Sequence, residues 1–135
     1  MAENLLVTVA LSPQMIEAGS KLIERLDEIG AQVKSAFWFY LSEFRTWKLI
    51  IASESINTDG PKKFYETIVM ANNSATENES TVSLNDIGVT STDHKLVQVL
   101  AMMISTGAGI GGIRFSRNNI NGVYIEDAYI YRSNR

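Results

Sequence analysis

The chain has 135 residues, 45% of them hydrophobic and 20% charged, with 12 basic against 15 acidic side chains and a net charge of −3. That size and balance suit one globular domain with a single core, and the acidic surplus does not favour binding nucleic acid through the protein's overall field. With no cysteine and a single histidine, His94, disulfides, cysteine-based zinc sites and thiol chemistry are excluded, and the lack of thiols fits a reducing cytoplasm.

The first expected element is a short strand over Leu5 to Leu11. A secretory leader is not expected there, because the apolar run has seven residues, Glu3 replaces the positive start and no small-residue cleavage site follows. A helix is predicted from Ser12 to Ile29. Ser12 suits the N-cap, Pro13 the first helical position, and Gly30 the left-handed residue that stops a helix. Met15, Ile16, Gly19, Leu22, Ile23, Leu26 and Ile29 form one apolar stripe, and Glu17, Lys21, Glu24, Arg25 and Glu28 form the solvated face.

Val33 to Leu41 and Thr46 to Ser53 are rich in aromatic and β-branched residues, which pack well on a pleated surface; Ser42-Glu43-Phe44-Arg45 separates them. A four-residue hairpin loop sets Tyr40 opposite Trp47, Trp38 opposite Leu49 and Ala36 opposite Ile51 on one face. On the other, Leu41 meets Thr46, Phe39 meets Lys48 and Phe37 meets Ile50. Such strands belong in the middle of a covered sheet, with Trp38 in the core.

A second helix is predicted from Pro61 to about Ala71, started by Asp59-Gly60 and ended by Asn72-Asn73. The stretch Asn72 to Thr81 has no large apolar side chain and is expected to be the most mobile internal segment. Its two sequons, at Asn72 and Asn78, carry meaning only in a secreted protein. Val82 to Val89 reads as a weak strand or an irregular connection. A third helix is predicted from Ser91 or Thr92 to about Ser105, apolar nearly all round and so deeply buried. Residues 96 to 113 carry no charge, but Gln98, Ser105, Thr106 and the four glycines between 107 and 112 dilute the run, so a buried helix and a loop are expected in place of a membrane span. The chain closes with Ile113 to Ile120, Asn121-Gly122 and Val123 to Tyr131, a hairpin whose turn suits two residues at positive φ.

Few residues carry candidate chemistry. The glycine-rich stretch Gly107 to Gly112 follows a helix and precedes a strand, the reverse of a phosphate loop, and adjoins the negative pole of the helix dipole; a helix stop and connection is expected. His94 lies beside Asp93 and near Ser91, yet adjacency at a helix start does not hold a hydroxyl against the ring, and an exposed first-turn histidine is expected. The aromatic hairpin could stack bases or sugars only if its rings were exposed beside Arg45 and Lys48. Phe44 in the loop and Trp47 beside it are the rings open to exposure, and core packing is expected for all but Phe44.

The last hairpin is the most informative. Its turn sets Arg117 opposite Glu126, Ser116 opposite Asp127 and Arg114 opposite Tyr129, so that Arg114 lies diagonal to Asp127. Arg114, Arg117, Glu126, Asp127 and Tyr129 are the candidate ligand-binding residues, able to take an anion or, with Asp86 or Asp93, a hard metal such as magnesium. The same residues form a solvent-facing salt-bridge ladder if they bind nothing. No resident metal, cofactor or catalytic residue is assigned.

The expected architecture is a single α+β domain over residues 1–135, a mostly antiparallel sheet from two β-hairpins packed with three helices in the order (β)αββα(β)αββ. The thin chemistry, and more apolar surface on the hairpins than three helices cover, favour a small cytoplasmic, non-enzymatic interaction or accessory subunit. It is expected to form a homo-oligomer or bind a protein partner, away from membranes. The alternative is a small enzyme or ligand-binding domain acting on a phosphorylated or nucleic-acid substrate through the C-terminal hairpin.

Overall fold

In the computed structural model, which describes residues 10–134, Ser12 caps the first helix, α1 (Pro13–Glu28), by accepting a hydrogen bond from the Met15 amide at 3.1 Å. The expected strand at Leu5 falls mostly outside the described residues, and Ala10 and Leu11 have no regular structure. After α1 come β1 (Val33–Leu41), β2 (Thr46–Ser53), α2 (Glu54–Asp59), α3 (Pro61–Asn73), β3 (Ile87–Thr90), α4 (Lys95–Met103), β4 (Ile113–Ile120) and β5 (Val123–Arg132). The strands form one sheet in the order β3-β2-β1-β5-β4, antiparallel except for the β2–β3 pair. This is the expected α+β arrangement, with the two hairpins joined through β1 and β5.

The β1–β2 register matches the sequence reading residue for residue from Ala36–Ile51 to Leu41–Thr46, because the four-residue loop leaves one pairing that buries both apolar faces. Three elements differ from expectation. Ser53 ends β2 and caps a further helix, α2, accepting from the Ser55 amide at 3.2 Å while donating to the Ala31 carbonyl at 2.9 Å. Six residues are too few for α2 to show a helical period. The weak strand is four residues long and runs parallel to β2, because α2 and α3 together carry the chain back to the same end of the sheet. Finally, α4 is shorter than predicted. His94 Nδ1 accepts the Leu96 amide at 3.1 Å and so starts the helix late, and Ile104 is already extended at φ −133°.

One sheet face carries Trp38, Tyr40, Trp47, Leu49, Ile51 and Tyr131 into a cluster with Leu22, Ile23 and Leu26 of α1 and Phe64 and Ile68 of α3. The closest approach is at Gly19. A β-carbon there would collide with the Tyr131 hydroxyl and stand 2.9 Å from Trp38 Nε1, so only glycine lets α1 sit this low on the sheet. The other face carries Phe37, Ala52, Ala128 and Ile130 into a second cluster with Val97, Val99 and Leu100 of α4.

Two arginines lie within this framework. Arg132 is buried, and its guanidinium meets the Asp27 carboxylate at 3.0 and 2.7 Å, the Val33 carbonyl at 3.1 Å and the Gly109 carbonyl at 3.2 Å. It thereby ties the end of β5 to α1, β1 and the glycine stretch. Arg25, expected on the solvated face of α1, is instead buried, with Nη2 2.7 Å from Glu79 Oε1.

That contact bears on the segment expected to be most mobile. Glu79 accepts the Thr76 amide at 2.9 Å, and Asn72 donates to the Val82 carbonyl at 3.2 Å. Residues 72–81 thus make polar contacts where they lack apolar ones, and Val82 at their end is buried in the core. The Thr76 amide and then Arg25 hold the Glu79 carboxyl below its ordinary value of 4.5. A carboxylate whose pKa is depressed by folding stabilises the fold above its unfolded pKa and loses that contribution as pH falls through the folded one. The thermal midpoint of the protein is therefore expected to exceed that of Glu79→Gln above pH 4.5, with the gap closing in more acid buffer. A gap independent of pH would show that the carboxylate charge does not hold the segment.

Candidate functional site

The register of the last hairpin follows the sequence reading from Ile113–Ile130 to Ser116–Asp127, and its turn has the positive φ expected of Asn-Gly, 49° at Asn121 and 85° at Gly122. Arg114 reaches diagonally to Asp127, Nε to Oδ1 and Nη2 to Oδ2, both at 2.7 Å. Asp127 holds the guanidinium even more firmly charged than usual, and the guanidinium lies 5.5 Å from the ring centre of Trp47. The pair is half in solvent, the Arg114 side chain being 49% exposed and that of Asp127 26%. Exposed ion pairs contribute little to folding, so Asp127→Asn is expected to lower stability by no more than about 1 kcal/mol in a urea titration. A loss of several kcal/mol would mean that the pair is structural.

Arg117 is where the sequence reading departs from the structure. Its φ is 51°, and the pairing passes from Ser116–Asp127 to Asn118–Ile125 without an Arg117–Glu126 pair. A left-handed residue in a strand rotates everything beyond it. Alternation counted from Ala128 would send Ile125 to the first face, yet Ile120, Val123 and Ile125 all join the second cluster. As a result Arg117 and Glu126, which a regular ladder would point away from Ser116 and Asp127, line the same cavity as those two and Arg114. The cavity holds about 550 Å³, with Tyr40, Trp47, Ala10 and Leu11 completing its wall. Tyr129, the fifth candidate, faces a neighbouring cavity with Ile16, Ile110 and Tyr131. No glycine or asparagine marks position 117, so nothing in the sequence announces the break.

The remaining candidates resolve simply. The His94 Nδ1 lone pair is used as a helix cap, and the Ser91 hydroxyl is held by Asp93, so no hydroxyl is set against the ring. Neither Asp86 nor Asp93 lines the hairpin cavity, and among the described residues no group of three or more histidines and carboxylates could hold a metal ion. The glycine stretch lies along the end of β5. The Gly111 amide bonds to the Tyr131 carbonyl at 2.8 Å, and the Gly107 amide to the Asn134 side chain at 3.0 Å. Of the hairpin rings, Phe37, Trp38, Tyr40 and Trp47 are buried and Phe39 partly so, while Phe44 is 72% exposed. No helix among the described residues is long and apolar enough to cross a membrane.

Comparison of the chain with protein-family models, with curated proteins and with solved structures finds no match in any of the three.

Proposed function

We propose that the chain is a small cytoplasmic interaction subunit that binds a second copy of itself through the second face of its sheet. The observation that carries this reading is how thinly that face is covered. The register lines up Ile50, Phe37, Ile130 and Ile113 in one row and Lys48, Phe39, Ala128 and Phe115 in the next. Among the described residues the one helix over them is the nine-residue α4, with Ile104 just after it. Phe39, Ile50 and Phe115 are left partly exposed, Ile113 is 40% exposed, and Met102 and Met103 at the end of α4 are 54% and 61% exposed.

Phe37, Ala128 and Ile130 in the middle of the rows are fully buried in the cluster with α4, and Phe39, Ile50, Phe115 and Ile113 around them keep apolar surface in solvent. Apolar surface gathered on one sheet face marks an interaction surface. Lys48 is the only charge in the two rows, so the patch offers little to a charged partner and matches itself across a two-fold axis, the commonest symmetry of soluble oligomers. The absence of cysteine supports the cytoplasmic assignment.

Sedimentation equilibrium at micromolar concentration is expected to give twice the 15.0 kDa of one chain. Ile113→Lys, an exposed substitution that leaves the core intact, is expected to weaken the dimer by about tenfold or more. A wild-type protein sedimenting as a single 15.0 kDa species would refute the proposal.

A further inference from the structure

We infer that the break in the β4–β5 ladder builds a binding site for a small zwitterion, a molecule of amino-acid or dipeptide size carrying one carboxylate and one ammonium group. Arg114 and Asp127 satisfy each other through two hydrogen bonds. Arg117 and Glu126 line the same cavity, but their side chains are in no hydrogen bond or ion pair with the described residues. The cavity thus presents one uncommitted cation and one uncommitted anion beside a neutralised pair.

A phosphate group would meet two carboxylates as well as two guanidiniums, and a simple cation would meet the reverse. A ligand bearing both signs pairs its carboxylate with Arg117, for which a guanidinium fork is the natural partner, and its ammonium with Glu126. The volume, about 550 Å³, lies within the range of small-molecule sites, and the buried edges of Tyr40 and Trp47 give it an apolar wall.

The backbone conformation that places Arg117 there adds to the reading. Arg117 holds φ at 51°, a conformation that suits glycine and strains a long side chain. Strain kept at a non-glycine residue points to a use for that side chain. Here the strained conformation is what turns Arg117 into the cavity.

The test is a titration of the 135-residue chain, labelled with ¹⁵N and followed by amide shifts, with four probes: glycyl-leucine, its N-acetylated form, its C-terminal amide, and inorganic phosphate. Glycyl-leucine is expected to give saturable shifts at residues 114–117 and 126–127, and each blocked form to bind about tenfold more weakly or worse. Two variants isolate the charges. Arg117→Gly suits the left-handed backbone, so it should melt no lower than wild type while losing the response. Glu126→Gln should lose it with the fold unchanged. The inference is overturned if the blocked dipeptides or phosphate bind as well as glycyl-leucine, if Arg117→Gly binds as tightly as wild type, or if no probe gives a saturable response at these amides.

Discussion

Trp38→Ala is expected to lower the unfolding free energy by about 3–5 kcal/mol in a urea titration, the range for truncating a large buried aromatic ring. Trp38 is fully buried at the centre of the sheet, and its indole Nε1 donates to the Tyr131 hydroxyl at 2.9 Å. That hydroxyl donates in turn to the Ile16 carbonyl at 2.6 Å. Burial pushes the Tyr131 phenol well above the ordinary tyrosine range, so it stays a proton donor throughout the working pH range. The substitution therefore opens a cavity beneath α1 and removes one partner of a buried hydroxyl. Gly19 already lets the helix sit as low as the Tyr131 hydroxyl permits, so α1 has little room to settle into the space. A loss under about 1 kcal/mol would place Trp38 outside the core and contradict the packing described.

Asp27→Asn is expected to cost about 3 kcal/mol, although Asp27 is itself partly in solvent. The charge left behind decides the outcome. Arg132 is buried, and once the carboxylate charge is gone it faces no paired anion among the described residues. Beside the amide oxygen left at position 27 it keeps the Val33 and Gly109 carbonyls as acceptors. Those two place the loss at the lower end of the roughly 3–5 kcal/mol typical of a broken buried pair. Adding Arg132→Met should recover part of the loss, because the stranded cation is then gone and an apolar side chain of similar length fills its channel. A double variant less stable than Asp27→Asn alone would show that Arg132 acts through its carbonyl contacts rather than its charge.

The two hairpins were legible in the sequence because each register follows from a short loop and a strong pattern. Asn121-Gly122 fixes the last turn, and with it the Arg114–Asp127 diagonal. Other features were hidden for identifiable reasons. Ser53 reads equally as the end of a strand and as a cap, so α2 went unseen. Arg25 reads as a solvated residue by helical period alone; it is buried because Glu79 folds back onto it from a segment with no apolar signal of its own. The contact of Arg132 with Asp27 joins residues 105 positions apart, which no local pattern reports. The site was half legible. Its residue types and the Arg114 pair could be read, but bringing Arg117 and Glu126 round to the same cavity depends on a left-handed backbone at an arginine.

The proposed self-association is tested most directly by isotope-filtered NMR on an equimolar mixture of ¹³C-labelled and unlabelled chains. Contacts between copies are expected from the methyl groups of Ile50 and Ile113 to the rings of Phe39 and Phe115, since these side chains form the partly exposed rows of the second face. Contacts mapping instead to Phe44 or the outer side of α3, or none at all at concentrations where the mass remains 15.0 kDa, would contradict it.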